Sequence, residues 1–365
     1  MAQTVDVDDP SEAGAAALQR GDWDLARARF EAAAAAGDEP AAWEGLSRAA
    51  WWQSVAEATF TARERAYRGY RDAGDPVGAA RMAAWVGIDH VDFRGDDAVG
   101  AAWLRRARDE LGEREPCAEH VLIALFEADI ALLHHADAVS AVRIAEQALE
   151  VARSVAARDL ELVATAILGS ALIAAGEVVE GVQLLDVAAA MAVGEDYADA
   201  LAPGWALCHT VSSCTDVGEF GRAAQWSRTM HGFSLRWSSR HFFGLCRTAY
   251  GAVLATHGDW PTAEQELISA MDDLRSTRPG LAAPTAVRLG QLRARQGRSG
   301  EARELFESAL PYAQAVVAIG ELDLAAGDAD AATEAAERVL RRLGPASRLE
   351  RFPALELLAR ARARR

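Results

Sequence analysis

Apolar residues follow the three- and four-residue steps of a helix face along most of the chain, and glycines interrupt this pattern at regular places. The clearest example surrounds Gly258, which suits the left-handed conformation that often ends a helix. The small residues Gly251 and Ala263, one on each side of it, would let two antiparallel helices approach closely. We expect Trp260 and Leu267 to fill the space between these helices. The pattern therefore predicts a helical hairpin.

The same pattern recurs along the sequence. Pairs of glycines seven residues apart introduce it at Gly14/Gly21, Gly169/Gly176, Gly251/Gly258, Gly290/Gly297 and Gly320/Gly327. The predicted turns lie near positions 21, 54, 95, 136, 176, 218, 258, 297 and 327, and most are roughly 40 residues apart, which is typical of helix-pair repeats. Because one hairpin cannot bury its apolar side alone, we expect an all-α stack of about nine antiparallel hairpins.

The spacing of small and aromatic residues resembles a known repeat. The frame Gly–x6–Gly–x–aromatic–x2–Ala–x3–bulky–x2–Ala, clearest at 14–33 and 251–270, is similar to the tetratricopeptide repeat (TPR). This resemblance implies a right-handed superhelical solenoid, although the repeats here are longer than the family's 34 residues. The run FGLCRTAY at 243–250, leading into HGDWPTA at 257–263, resembles the sensor regions of LuxR-type (MalT-like) bacterial transcription regulators.

The domain organisation follows from the repeats. Residues 1–10 are acidic and polar and are predicted to form a loose tail. The remainder, 11–365, is predicted to be a single TPR-like domain, because a solenoid has no single core to outgrow. The stretch near 350–363 is predicted to be a terminal capping helix. No helix-turn-helix pattern follows it, so DNA binding would require another segment or another molecule.

The composition excludes several classes of function. The net charge of −16 argues against direct nucleic-acid binding by this chain. No apolar run approaches the ~20 residues of a membrane span. Four cysteines in 365 residues do not indicate a disulfide framework, so we expect a cytoplasmic protein without membrane association. The chain has neither lysine nor asparagine, which removes the P-loop lysine and the Lys/Asn clamp with which chaperone-binding TPR domains hold a peptide C-terminus. An anion would have to be held by arginine, hydroxyl or backbone groups.

No sequence motif indicates catalysis or metal binding. The chain contains no Cys-x2-Cys pair, no His-x3-His pair and no G-x-S-x-G turn. We therefore predict no metal, no cofactor and no enzymatic activity. A helical-repeat enzyme is a remote alternative, and it would need its ionisable groups close enough together for one substrate. The candidates are Asp89, Asp92, His134 and Asp216.

The TPR resemblance implies a binding groove, because the first helix of each hairpin lines the concave face in that family. Counting back from the predicted turns gives candidate groove residues, most of them aromatic. They are Trp43, Trp51, Trp85, Asp89, Phe93, Phe126, His134, Trp205, Ser212 and Asp216. Apolar walls with few polar groups suit a small molecule or a peptide. The same aromatic residues could instead form the core between repeats of a tight superhelix. A second aromatic-rich segment, 226–250, is explained equally well by packing between adjacent hairpins.

Two classes of function follow. The first is the ligand- or protein-binding sensor module of a LuxR-type transcription regulator, which would bind a small molecule or peptide in the groove and act through a conformational shift. The second is a freestanding TPR adaptor that holds a partner protein. If the groove is open, Trp85→Ala should weaken binding with little loss of stability.

Overall fold

The computed structural model describes residues 9–194 and 197–364, except for the side chain of Phe243. Within these ranges the chain forms nineteen α-helices, a π-helical turn (Ile130–His134) and a 3-10 turn (Pro279–Leu281). The α-helices are α1 (Pro10–Arg20), α2 (Trp23–Gly37), α3 (Pro40–Trp52), α4 (Ala56–Asp72), α5 (Pro76–Arg94), α6 (Asp97–Leu111), α7 (Ala118–Asp129), α8 (Ala138–Ser154), α9 (Arg158–Ala175), α10 (Val178–Val193), α11 (Leu201–Asp216), α12 (Phe220–Arg236), α13 (Arg240–His257), α14 (Trp260–Thr277), α15 (Ala283–Arg295), α16 (Ser299–Ser308), α17 (Ala313–Ala325), α18 (Ala329–Arg342) and α19 (Arg348–Arg362).

Consecutive helices from α1 to α18 pair into nine antiparallel hairpins, as the sequence predicts. The turns inside the hairpins lie at 21–22, 53–55, 95–96, 135–137, 176–177, 217–219, 258–259, 296–298 and 326–328. Each of the nine predicted turns is therefore confirmed. The final helix, α19, packs on α17 and α18. The chain is an all-α, TPR-like solenoid.

Aspartate side chains start the second helix of many hairpins. In each case the carboxylate accepts a hydrogen bond from the backbone N–H three residues further on, which satisfies one of the unpaired donors of the first helical turn. This arrangement occurs at Asp22, Asp96, Asp137, Asp259 and Asp328. The aspartates that follow the turns are therefore explained by helix capping.

The hairpin around Gly258 is built as expected in all but one respect. Gly258 has φ +89° and ends α13, and a Cβ on Gly251 would lie 2.7 Å from Cγ of the fully buried Leu267. The two helices therefore approach closely because position 251 has no side chain. Trp260, however, does not fill the space between them, because it is 37% exposed and its indole N–H donates to the carbonyl oxygen of Ala255.

The solenoid closes on itself, so that hairpins far apart in sequence touch. Trp23 Nε1 donates to the carbonyl oxygen of Trp237 at 2.8 Å, across 214 residues. Arg278 Nη2 donates to the carbonyl oxygen of Trp51 at 3.0 Å, across 227 residues. The 3-10 turn at Pro279–Leu281 packs against α5. We call this contact between the first three hairpins and the sixth and seventh hairpins the closure contact. It encloses part of the inner face.

The predicted tail at 1–10 falls mostly outside the described residues. Asp9 and Pro10 are described, and they begin α1, with the Asp9 carboxylate accepting a hydrogen bond from Ser11 N. In the described part of the chain, no helix has both the length and the apolar character that crossing a membrane requires.

Candidate ligand-binding site

A cavity of about 260 Å³ lies on the inner face of the solenoid. Its walls come mainly from the first helices of the second to sixth hairpins, α3, α5, α7, α9 and α11. Three residues of the predicted groove set, Trp51, Trp85 and Trp205, line it from three different helices. We call this space the inner cavity. These wall helices are first helices, which the repeat frame predicts to face inward.

A continuous row of aromatic rings runs along one side of the inner cavity, and its three tryptophans line the cavity. The ring centroid of Trp85 lies 6.1 Å from that of Trp51 and 5.0 Å from that of Phe126, and Phe126 stacks on Trp205 at 5.4 Å. Trp205 is fixed further by its indole N–H, which donates to Asp129 Oδ2 at 2.7 Å. The aromatic wall is therefore held in place before any ligand arrives.

The Asp129 carboxylate belongs to a chain of polar contacts that crosses three first helices. Its Oδ1 lies 2.9 Å from His209 Nε2, and His209 Nδ1 lies 3.1 Å from the hydroxyl of Ser170. Ser213 in turn donates to Ser170 at 2.8 Å. His209, Ser170 and Asp129 are all buried, and these hydrogen bonds satisfy Asp129 Oδ2, His209 Nδ1 and the Ser170 hydroxyl, whereas Asp129 Oδ1 contacts His209 without hydrogen-bond geometry. The chain of contacts orients Trp205 in the wall.

One charged group on the cavity wall is fully paired. Arg81 donates through Nε and Nη2 to Glu44 at 2.8 and 2.9 Å, and through Nη1 to Glu119 at 2.8 Å. Tyr70 donates to the same Glu44 carboxylate at 2.6 Å. Burial alone would raise the pKa of Glu44, but the hydrogen bonds from Arg81 and Tyr70 hold it below its usual value. These four residues form a rigid rim in which each of the three nitrogens of Arg81 donates to a carboxylate.

A second ion pair spans the cavity wall between distant segments. Arg48 on α3 contacts Asp199, in the connection before α11, at 2.7 Å. Both side chains are more than a third exposed, so the pair itself adds little to stability. Asp159 accepts hydrogen bonds from the backbone nitrogens of Ala198 and Asp199, which fixes this connection on α9.

Arg63, on the second helix α4, reaches the inner cavity from behind Trp85. Its guanidinium lies 4.5 Å from the centre of the Trp85 ring, and its Nε lies 3.1 Å from Asp89 Oδ2. Asp89 has no solvent exposure, and burial raises its pKa to about 6 although Arg63 and Arg278 act in the opposite direction. Burial also lowers the pKa of Arg63, and Asp89 opposes that shift.

Packing between hairpins explains why three predicted groove residues are not exposed. Asp89, Phe93 and Phe126 are all buried, at 0%, 7% and 2% exposure. Phe93 lies 3.7 Å beneath the guanidinium of Arg278, which comes from the end of α14. The expectation of an open groove at these residues is therefore wrong, because later hairpins cover them. Packing also explains the segment 226–250, where Trp237, His241 and Phe242 are buried.

The other predicted groove residues lie away from the inner cavity. Trp43 donates to Asp38 at 2.5 Å and is covered by the guanidinium of Arg65. The remaining three are His134, which contacts Asp97 at 3.2 Å, Ser212, which is exposed, and Asp216, which pairs with Arg288. Of the groups named for a helical-repeat enzyme, His134 and Asp216 thus have separate partners, whereas Asp89 and Asp92 are both influenced by the charge of Arg278. Among the described residues, no group of three or more His, Cys, Asp or Glu side chains could hold a metal ion.

Several wall residues were missed by the sequence reasoning. Leu122, Leu160 and Val163 line the inner cavity, and so does Arg63. Val163 lies thirteen residues before Gly176, which is the same offset that leads from Gly218 to Trp205, so the repeat frame contained its signal. No such signal exists for Arg63, because it lies on a second helix, and the family pattern assigns the inner face to first helices.

Comparisons with known proteins show the fold. No family model matches the chain, and no curated protein matches it. A Rap protein complexed with Competence and Sporulation Factor is similar in structure (TM-score 0.61, 12% identity, covering 88% of this chain and 93% of that chain). The Rap conjugation gene regulator of the plasmid pLS20, in complex with the Phr* peptide, has a TM-score of 0.51 at 14% identity (88% and 92% covered).

The human IFIT1 dimer with PPP-AAAA also has a TM-score of 0.51, at 12% identity, and covers 99% of this chain and 95% of its own. At these identities the similarity concerns the fold alone. The fold of this chain is thus that of a tetratricopeptide-repeat solenoid.

Proposed function

We propose that this chain is a peptide-binding regulatory module. A short peptide would lie on the inner face of the solenoid and place an apolar or aromatic side chain in the inner cavity. The observation that carries this proposal is the cavity itself, lined by Trp51, Trp85 and Trp205 from three different repeats. A ligand in this position touches several hairpins at once.

The size of the inner cavity favours part of a flexible ligand. At about 260 Å³ it is slightly smaller than the 300–1,000 Å³ that is typical of pockets for whole drug-sized molecules. One or two side chains fill such a volume, and the rest of a peptide would lie along the inner face. A folded partner protein could enter only through an extended or helical segment.

The chemistry of the wall also favours a peptide over a nucleic acid. Aromatic and aliphatic side chains line the cavity, and the Arg81 guanidinium is already paired with Glu44 and Glu119. The net charge of −16 opposes a polyanionic ligand such as a nucleic acid. Two structures of the same fold were solved with a bound factor or peptide, which supports a peptide ligand here.

Trp51 connects the inner cavity to the closure contact. Its side chain lines the cavity, and its carbonyl oxygen accepts the hydrogen bond from Arg278. Its ring also lies 4.7 Å from that of His241. A ligand that packs better on Trp51 in the closed arrangement would therefore favour that arrangement by population shift. This is the conformational response that we propose.

The proposal concerns binding and not catalysis. A LuxR-type regulator is one setting in which such a module would act, and that setting stays a prediction, as does a role as a freestanding adaptor. A small organic effector is the alternative ligand for the same cavity.

The test is a selection of phage-displayed heptapeptides on the immobilised full chain, followed by dissociation constants for the selected peptides. We expect Trp85→Ala to weaken binding by about tenfold or more, because it removes a wall of the cavity. Trp260→Ala is the matched control, since Trp260 is exposed on α14 and does not line the inner cavity.

Because Trp85 also supports Phe126 and Arg63, its loss should lower stability by about 1–3 kcal/mol, which circular dichroism melts would measure. Equal affinities for the two variants, or selection of no peptide, would reject the proposal.

A further inference from the structure

Arg63 is a buried cation whose hydrogen-bonding groups are not satisfied. Its side chain is only 3% exposed, yet it lines the inner cavity. Its Nε and Nη1 have no hydrogen-bond partner, because the 3.1 Å contact with Asp89 lacks hydrogen-bond geometry. A guanidinium in this state is costly, since burial removes its water and the protein returns no hydrogen bond. The group is therefore available to a ligand.

The other charged side chains of the wall are already engaged. Arg81 is paired with two glutamates, and Arg48 with Asp199. Asp159 accepts hydrogen bonds from backbone nitrogens. Across the described residues that line the inner cavity, Arg63 is thus the one charged group without a hydrogen bond. The missing partner is an acceptor, and a guanidinium is best matched by a carboxylate.

From these contacts we infer that the inner cavity takes a carboxylate attached to an apolar or aromatic group, and that Arg63 binds the carboxylate. This inference deepens the proposed function and rests on it where the ligand is a peptide. Because the guanidinium lies over the ring of Trp85, a carboxylate at its edge brings the attached group against the aromatic wall. The apolar group and the anion would therefore be recognised together.

The surrounding charges can accept this anion. Arg63 and Arg278 are both buried next to Asp89, and burial keeps the pKa of Asp89 near 6, well above its ordinary value of 3.8. Of the two arginines only Arg63 lines the inner cavity, so a carboxylate from the ligand would meet the Arg63 guanidinium directly. The proposed carboxylate site differs from the clamp of chaperone-binding TPR domains, because the chain has no lysine or asparagine.

Two sources of the carboxylate share this chemistry. One is a peptide, through its C-terminus or an acidic residue beside an apolar one, and the other is a free arylalkanoic acid. The probes are N-acetylphenylalanine against its amide, 3-phenylpropionate against its amide, and each phage-selected peptide, resynthesised with a free or an amidated C-terminus. Binding would be followed by the intrinsic tryptophan fluorescence of the full chain, because Trp51, Trp85 and Trp205 line the cavity.

The expected result is that the unmodified protein binds each acid about tenfold or more tightly than the matching amide. The preference should disappear in Arg63→Gln. Since that change leaves Asp89 buried without its partner, the double variant Arg63→Gln/Asp89→Asn removes both charges and serves as the second test. Arg65→Gln is the matched control, because Arg65 lies on the same helix and stacks on Trp43, outside the inner cavity. It should keep the preference for the acid.

The outcomes separate this inference from the proposed function. If acids and amides bind the unmodified protein equally, or if the preference survives in the double variant, the inference is wrong. Selected peptides that bind through Trp85 regardless of amidation, and without an acidic residue, would leave the proposed function standing and overturn the inference. An Arg63-dependent preference for 3-phenylpropionate, with no peptide selected, would support the carboxylate site and reject the peptide.

Discussion

Three buried charged residues distinguish the inner side of this protein from the apolar core that repeat proteins usually have. Arg63, Asp89 and Arg278 are at most 2% exposed. Burial raises the pKa of Asp89 to about 6 and lowers that of Arg278 to about 10, against the attraction of its partners. Removing ions from water costs more than their mutual attraction returns unless the hydrogen bonds are excellent, and here several are missing. A cluster of this kind is better explained by a role in position or binding than by stability.

The free energy of unfolding should fall as the pH rises from 4 to 7, and Asp89→Asn should make this fall smaller. The carboxyl of Asp89 holds its proton up to about pH 6 in the folded protein but releases it near 3.8 when unfolded. Its contribution is therefore fully present below pH 3.8 and is lost as the pH rises through 6, by an amount of the order of 2–3 kcal/mol. Asparagine has no proton to lose.

Urea denaturation of both proteins at several pH values would measure this difference. Arg63 and Arg278, which act on Asp89, stay charged throughout this range. Burial raises the pKa of Asp92 to about 7, and the Asp89 charge raises it as well, so removing that charge lowers the pKa of Asp92 and adds to the expected difference. Burial lowers the pKa of His241, which gives a pH dependence of opposite sign, but that term is common to both proteins and cancels in the comparison. Parallel pH profiles for the two proteins would contradict the argument.

The candidate site could be predicted from the sequence only in part. Trp51, Trp85 and Trp205 were found because the repeat frame determines which face of a first helix points inward. Phe93 was placed on the same face but is covered by Arg278, which lies 185 positions further along the chain. Local periodicity carries no information about a contact over such a distance, so the frame alone could not separate wall from core.

The helical hairpin is the element that the sequence specified best. Both its turn and its close helix contact depend on residues within one repeat, as Gly258 and the pair Gly251/Leu267 show. The exposure of Trp260 was not predictable in the same way. Whether a residue at the start of a second helix turns inward or outward depends on how the next hairpin packs, and the sequence of one repeat does not determine that.

A close backbone contact inside one hairpin predicts the effect of a single methyl group. A Cβ on Gly181 in α10 would lie 2.5 Å from the carbonyl oxygen of Gly169 in α9, and close to the backbone of Ile173. Since a backbone cannot move aside as a flexible side chain can, Gly181→Ala should destabilise the protein by about 2–3 kcal/mol. Thermal and urea unfolding would measure it.

Gly232→Ala provides the matched control for that prediction. Gly232 lies inside α12, and a Cβ there would meet nothing within 4 Å. Because alanine favours the helix more than glycine does, this change should stabilise the protein by about 0.5–1 kcal/mol. Similar effects of the two substitutions would show that the α9–α10 contact is not as close as described.

At the scale of the whole molecule, the closure contact makes the solenoid more than a sum of neighbouring repeats. In an open solenoid each repeat contacts only its neighbours, so stability and curvature are local properties. Here Trp23 bonds to Trp237 and Arg278 to Trp51, and Ser347 near the end of the chain donates to the carbonyl oxygen of Ala136. Curvature is therefore set by contacts between distant hairpins, and a ligand that alters Trp51 can alter it.

Gly280→Ala should open the closure contact without removing any charge or hydrogen-bonding side chain. A Cβ at this position would overlap the carbonyl oxygen of Val91 and lie 2.9 Å from that of Asp92, both in α5. We expect a larger radius of gyration by small-angle X-ray scattering, a loss of about 1–3 kcal/mol in stability, and weaker binding of any ligand that contacts Trp51.

Gly344→Ala is the control, because nothing lies within 4 Å of a Cβ there, and it should leave the radius of gyration, the stability and the binding unchanged. A larger radius of gyration with unchanged binding would mean that the cavity does not depend on the closure contact for its shape, and the proposed conformational response would then have to be abandoned.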